Sequence, residues 1–323
     1  MATTAQAAIP LSFPLAGHNG GTGTPSAGPS ARSATVIGGG AVLVWSTAAS
    51  FAVLGTSLPP LLFIAGAFAA GFLAFCVARL ARGQSLREML AVPLPVLCLM
   101  VLGFLGHNGL YVTALRYAPA AEVNLISYLW PLLMVAFLGL AGVARPTRWQ
   151  LLGSLLGFAG LAWFVSPQLL SQGDAGAAGD GLFGYLLALC AATCFAVYSA
   201  LRAKLRDGPP DAAGTACGVA AVIALALHLA FGGDARVDIE PAALLAMLLI
   251  GVGPMGLANL MWDHGVRFGD GRVLSSLAYL TPVLSTLLLA ALGLAVLTPH
   301  VLIGGGLILG GIALSALAAR SSP

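Results

Sequence analysis

Apolar residues fall into ten blocks along the chain: 34–54, 59–80, 92–115, 119–142, 149–167, 181–202, 212–232, 241–266, 272–295 and 299–319. Each is close to the roughly 20 residues that a helix needs to cross a bilayer. None shows the apolar–polar alternation of a barrel strand, which excludes a transmembrane β-barrel. The pattern predicts an all-α membrane protein of ten transmembrane helices. One block breaks its own rule. Residues 124–131 read Asn-Leu-Ile-Ser-Tyr-Leu-Trp-Pro, placing an amide, a hydroxyl, a phenol, an indole and a helix-breaking proline within about two turns. Polar groups in hydrocarbon are costly and persist where they face a cavity or another helix. The helix over 119–142 is therefore expected to wall a solute pathway.

Composition sharpens this reading. Hydrophobic residues make up 59% of the 323 positions and charged ones 8%, with a mean hydropathy of +0.97. No soluble core needs that balance, and the 42 glycines suit close helix packing in lipid. The five cysteines (76, 98, 190, 194 and 217) all fall inside apolar blocks and read as small buried hydrophobes rather than a disulfide or metal set. Residues 1–33 lack the basic start and apolar centre of a signal peptide and are expected to form a disordered cytoplasmic tail.

Charge sets the orientation. With the N-terminus placed in the cytoplasm, twelve of the 14 Lys and Arg residues fall on the inside and only Arg116 and Arg236 outside. The positive-inside rule then puts both termini in the cytoplasm and requires an even number of spans. A bacterial inner membrane is the expected location. The pI near 8.7 reflects these loop charges and gives no reason to expect a nucleic-acid partner.

The chain also repeats itself. At an offset of 151, Asn108 meets Asn259, Arg116 meets Arg267, Tyr128 meets Tyr279 and Pro131 meets Pro282; Gly153, Gly160 and Ala162 meet Gly304, Gly311 and Ala313. The register covers spans three to five and eight to ten, while spans one and two show no clear match to six and seven. Five spans is an odd number, so the halves, 34–167 and 180–319, would insert upside down relative to each other. That is the inverted-topology repeat of secondary transporters, with the site near the midplane between the halves. A ten-span, five-plus-five inverted repeat with proline in spans four and nine resembles the EamA type of the drug/metabolite transporter superfamily, over residues 34–319. The stretch Asn124 to Pro131, with its Tyr-Leu-Trp-Pro core, and His107 and Tyr111 are similar to the aromatic amino acid exporters of that superfamily.

Candidate site residues follow. His107 and Tyr111 lie four apart on one helix face, about nine residues in from the outer end, or ~14 Å at the helical rise. Two readings stand side by side: a cavity lining that stacks on and hydrogen-bonds a substrate ring, or a neutral histidine tied to a neighbouring helix. Proton coupling through His107 is a separate and weaker reading. Asn108 and Asn259 read first as interhelical bonds or hinges flanking the cavity. Asn124, Tyr128 and Pro131 share a face. Trp130 lies about 200° round a straight helix from Tyr128, so both reach one cavity only if Pro131 distorts the turn. The resemblance implies aromatics lining the cavity near this motif. Trp262 and Tyr279, equivalent to Tyr111 and Tyr128, would close the opposite side; Trp45, Ser46 and Trp163 are lesser candidates. Pro131 and Pro282 would bend spans four and nine, and Gly153–Gly157 and Gly306–Gly310 would let spans five and ten pack within the chain. Asp263 is expected at the interface, paired with Arg267 one turn on.

No carboxylate is expected at mid-depth, which argues against a pump for cationic drugs and for a neutral or zwitterionic solute. The leading expectation is an exporter of amino acids, aromatic or neutral, working as a monomer surrounded by lipid, with a dimer as the alternative. No cofactor and no metal are called for. An enzyme would need a nucleophile with its base, paired carboxylates or a metal cluster, and the five histidines are scattered with no His-Glu-x-x-His. The other reading is a drug/metabolite-type transporter of a sugar, a nucleoside or a lipid-linked intermediate.

Overall fold

The structure is a computed structural model that describes residues 30–52, 58–171, 181–231 and 240–320. Among them there are helices and no strands. We number the principal helices α1 (Ala31–Trp45), α2 (Pro60–Ala81), α3 (Leu94–Ala114), α4 (Ala120–Leu140), α5 (Arg148–Ser171), α6 (Gly181–Arg202), α7 (Ala212–Phe231), α8 (Pro241–Phe268), α9 (Gly271–Ala291) and α10 (Pro299–Arg320). Eight of them, α2 to α9, are long and apolar enough to cross a membrane; Ala31–Trp45 and Pro299–Ser315 are shorter apolar helices. The chain is thus an integral membrane protein. Large side chains such as Val36, Leu73, Val77, Leu140 and Leu182 stand exposed around the bundle, as they can where the solvent is hydrocarbon.

The first helix starts earlier than the sequence suggests. Ser30 caps it by accepting a hydrogen bond from the Ser33 amide at 3.2 Å, so residues 31–33 belong to α1 and not to a tail. The rest of that expected tail, 1–29, lies outside the described residues. At its other end α1 stops at Ser46 and Thr47, whose hydroxyls donate to the carbonyls of Leu43 and Val44, and it resumes as the short helix Ala48–Ala52.

Repetition governs the irregular parts. A π-helical segment interrupts α3 at Leu102–Gly106 and another interrupts α8 at Gly251–Leu257, and the two end at positions related by the offset of 151. After each, an asparagine donates back to the carbonyl four residues earlier: Asn108 to Phe104 at 2.8 Å and Asn259 to Met255 at 3.0 Å. These bonds lie within one helix, and among the described residues neither asparagine bonds a second helix, one of the two roles expected for them. Both α4 and α9 break at their tyrosine: α4 after Ser127, α9 after Ala278. Pro131 and Pro282 lack the amide that would bond Ser127 and Ala278, so the helix cannot run through. Beyond α4 and α9 the chain turns at Gly142 and Gly293, both in the left-handed region at φ +67° and +74°.

Packing obeys the same exchange. α1 packs on α8 and α6 on α3; α2 packs on α8 and α7 on α3; α1 meets α9 and α6 meets α4; α2 pairs with α7 and α5 with α10. Each contact maps to another when the first five helices are exchanged for the last five, including α1 and α2, where the sequence shows no match. The α5–α10 pair meets backbone to backbone. A Cβ added at Gly160 would lie 2.9 Å from the Gly304 carbonyl oxygen, and one at Gly304 would lie 3.0 Å from that of Gly160. Gly153 and Gly311 oppose each other in the same way. Gly306 faces open space and Gly310 meets only Leu156, so the glycines that bring α5 and α10 together are not all those expected. Of the cysteines, only Cys217 is buried; all are free, and Cys98 and Cys190 are exposed on the bundle surface.

Candidate functional site

A cavity of about 530 Å³ lies between the two halves. Its wall comes from His107, Asn108 and Tyr111 of α3, Asn124, Ser127, Tyr128 and Trp130 of α4, and Phe164 and Val165 of α5. Opposite stand Ile250, Pro254, Met255 and Asn259 of α8 and Thr281, Pro282, Ser285, Thr286 and Leu289 of α9, with Trp45, Ala48 and Phe195 completing the lining. These positions lie on the C-terminal parts of α3, α5 and α9 and the N-terminal part of α4. The cavity therefore occupies the half of the bundle nearest the turn between α3 and α4.

The break in α4 shapes the wall. Tyr128 and Leu129 leave the helix, and a second segment starts at Trp130 with Pro131 in its first turn. That offset lets Tyr128 and Trp130 reach one cavity, which a straight helix forbids. Pro131 itself is buried and lines nothing, whereas its counterpart Pro282 does.

Aromatic rings make the floor. Trp130 meets Phe195 edge-on at 4.8 Å and Trp45 at 6.4 Å between ring centroids. Beneath them lies Trp262, 5.1 Å from Trp45 and 5.4 Å from Trp130. The Trp45 indole donates to the Pro254 carbonyl in the π segment of α8 at 3.1 Å. Such edge-on contacts stabilise each pair by about 0.5–1.5 kcal/mol beyond the area they bury.

Two expected lining residues are not there. Trp262 is 0% exposed and donates to Ser199 Oγ at 3.0 Å, so in this conformation it supports the floor from below. Tyr279 is also 0% exposed and packs against Gly157 of α5. His107, Tyr111, Tyr128, Trp130, Asn108, Asn124, Asn259 and Pro282 do line the cavity. Trp45, a lesser candidate by sequence, holds a central place. Ser285 and Thr286 were signalled by the same oddity as residues 124–131, hydroxyls in an apolar run; Phe195 carries no signal at all, being one aromatic among many on an apolar helix.

His107 joins the wall to α6: its Nδ1 lies 3.1 Å from the Ala191 carbonyl oxygen. A carbonyl only accepts, so Nδ1 donates and Nε2 is left for the cavity. The imidazole lies nearly parallel to the Tyr111 ring, 6.4 Å away at 18°, and 5.3 Å from Phe195. The tie to a neighbouring helix is thus present, and it leaves the ring in the cavity wall.

Below Trp262 the other half of the bundle is closed by charge. Arg202 Nε donates to Asp263 Oδ1 at 2.8 Å, Tyr198 donates to the same oxygen at 3.2 Å, and Arg267 Nη1 lies 3.6 Å from Oδ2. The Arg202 and Asp263 side chains are 0% and 1% exposed. Asp263 is therefore buried rather than interfacial; it pairs with Arg267 one turn on, as expected, and more closely with Arg202. Arg202 also donates to the Leu205 carbonyl, and Arg267 to those of Arg206 and Gly208, which ties α6, α8 and the following loop together.

No residue lining the cavity is an Asp, Glu, Lys or Arg. Among the described residues no group of three His, Cys, Asp or Glu could hold a metal. What the cavity offers is ring faces and uncharged donors and acceptors, in a space fit for a small organic molecule.

Comparison with known proteins places the chain in a family. The model of the EamA-like transporter family matches twice, over residues 33–166 and 182–317. The chain is 36% identical over 264 residues to the aromatic amino acid exporter YddG of Ancylobacter novellus, covering 82% of this chain and 90% of that one. A protein of known crystal structure superposes with a TM-score of 0.81 at 35% identity, over 90% of this chain and 99% of its own. With two matching segments that span nearly all the helices, the chain belongs to the EamA-like transporter family.

Proposed function

We propose that the protein exports amino acids, aromatic or neutral ones, across the bacterial inner membrane by alternating access, and that the cavity is its substrate site. The ten helices cross the bilayer as two inverted five-helix repeats with both termini in the cytoplasm, and the cavity opens to the outside. In support, the repeats differ in what they expose. Ser285, Thr286 and Leu289 of α9 line the cavity, while their counterparts at the offset of 151, Met134, Val135 and Leu138 of α4, are buried. In the other direction, Asn124, Ser127 and Tyr128 line it while Ser275, Ala278 and Tyr279 are buried. A cavity present at one face and filled at the other is what two inverted repeats in unequal conformations produce.

The observation that carries the substrate class is a lining rich in rings and free of formal charge. A net charge there would have no counter-ion, whereas an aromatic zwitterion brings its own and adds a ring to stack. The related exporter's named substrate class points the same way. Alternating access would carry solute without chemistry, so no catalytic residue is assigned.

The test is counterflow of labelled phenylalanine or tryptophan into proteoliposomes, with and without a pH gradient. Uptake is expected, and it should fall to background in the double variant His107→Ala, Tyr111→Ala. Uptake unchanged by those substitutions would remove the site; sugars or nucleosides carried in place of amino acids would remove the substrate class.

A further inference from the structure

Polar groups in this cavity are not evenly balanced between donors and acceptors. Asn108 and Asn259 each spend Nδ2 on the carbonyl four residues back, Phe104 and Met255. The hydrogen on that nitrogen is required, because a carbonyl cannot donate, so the assignment of both amides is fixed. Their Oδ1 atoms have no partner among the described residues and are not sealed from the cavity that both residues line. His107 does the same by another route: Nδ1 donates to Ala191, and Nε2 of the neutral ring is a bare acceptor. Three acceptors on two facing helices, α3 and α8, are thus held with their donor ends tied down by backbone. Their rigidity comes from the π segments, whose Phe104 and Met255 carbonyls hold the asparagines.

We infer that His107 Nε2, Asn108 Oδ1 and Asn259 Oδ1 form a subsite for a primary ammonium group. An ammonium has three N–H donors and no acceptor, the complement of this set. A carboxylate has only acceptors and would be repelled by all three. It has instead the hydroxyls of Ser285, Thr286 and the cavity tyrosines, which can turn to donate to it but equally to a neutral group. Selection therefore falls on the ammonium end of the substrate, and the carboxylate end is replaceable. The inference rests on reading the cavity as the substrate site, and it adds the feature of the solute that the site demands.

Isothermal titration of the purified protein with paired ligands tests it. Phenylalanine methyl ester keeps the ammonium and loses the carboxylate; N-acetylphenylalanine does the reverse. The ester is expected to bind within about tenfold of phenylalanine and the acetylated compound at least about a hundredfold more weakly, since acetylation leaves one N–H of three, removes the charge and adds a carbonyl acceptor that faces the acceptors of the site. Asn259→Ser keeps a hydroxyl for the Met255 carbonyl and withdraws the amide oxygen, so it should narrow that gap about tenfold. Equal binding of the two compounds, or better binding of N-acetylphenylalanine, overturns the subsite and leaves aromatic amino acid transport intact. If no phenylalanine derivative binds, the aromatic reading falls, and leucine methyl ester against N-acetylleucine decides the subsite: preference for the ester upholds it, and no preference or no binding overturns it.

Discussion

Tyr279 lies so close over Gly157 that a Cβ on the glycine would stand 2.9 Å from Tyr279 Cδ2. The missing side chain is what gives the tyrosine its berth on α5. At the offset of 151, Gly157 corresponds to Ile308 and Tyr279 to Tyr128. Ile308 is fully buried and fills the matching place on α10, while Tyr128 faces the cavity. One glycine opposite one isoleucine thus goes with two equivalent tyrosines in different places. Gly157→Ile should force Tyr279 from its berth and overpack the α5–α9 contact, at a cost of about 1–3 kcal/mol. The measurement is the thermal unfolding midpoint in detergent. A marked drop is expected in the single variant, and partial recovery when Tyr279→Ala removes the obstructing ring.

That pair also marks where sequence reasoning stops. The offset of 151 makes Tyr128 and Tyr279, or Tyr111 and Trp262, equivalent, and equivalence suggests that each pair does the same work. A repeat in two unequal conformations breaks that inference: Tyr111 lines the cavity and Trp262 lies under its floor. The blocks of apolar residues, the prolines and the polar stretch in α4 were legible because each is a local departure from an apolar background. Phe195 and the π segments were not, since an aromatic on an apolar helix and an extra residue per turn leave no local trace. The match of α1 with α6 and α2 with α7 was hidden for a related reason: packing can be conserved in geometry by many apolar sequences.

The buried pair Arg202–Asp263 holds the side of the bundle away from the cavity. Removing one member of such a pair leaves the other uncompensated, which typically costs about 3–5 kcal/mol. Under alternating access that cost falls on the closed state of this side. Asp263→Asn should therefore raise the population open at the opposite face. Val135, buried on α4, is the reporter. In a background free of native cysteines, Val135→Cys should react slowly with an impermeant maleimide applied from the cytoplasmic side, and at least about tenfold faster with Asp263→Asn added. An unchanged rate would mean that the pair only braces the fold.

Trp130 is a poor probe of ligand contact, because it is 7% exposed and meets three other rings, so that its removal would damage the floor. Tyr111 is better placed, on the wall and, among the described residues, meeting no aromatic ring but that of His107. If its ring face contacts the solute, Tyr111→Ala should raise the KM for phenylalanine uptake about tenfold, near the upper end of an aromatic contact. Tyr111→Phe should stay within about threefold. A loss as large in the phenylalanine variant would shift the role from ring face to hydroxyl.

The glycines between α5 and α10 give the last contrast. Gly160 and Gly304 face each other's backbone, with room for no side chain on either, whereas Gly306, two residues along α10, faces open space. Leucine at position 160 would have to push the two helices apart along their whole contact, because the neighbouring atoms are backbone and cannot swing aside. Leucine at 306 would extend into lipid and meet nothing. Gly160→Leu and Gly304→Leu should each lower the unfolding midpoint sharply and reduce the yield of folded protein. Gly306→Leu should behave as wild type in both measurements. Since small residues take the place of the hydrophobic effect in holding membrane helices together, the difference reads that packing directly. Equal damage at 306 would mean that a second molecule, rather than lipid, covers that face.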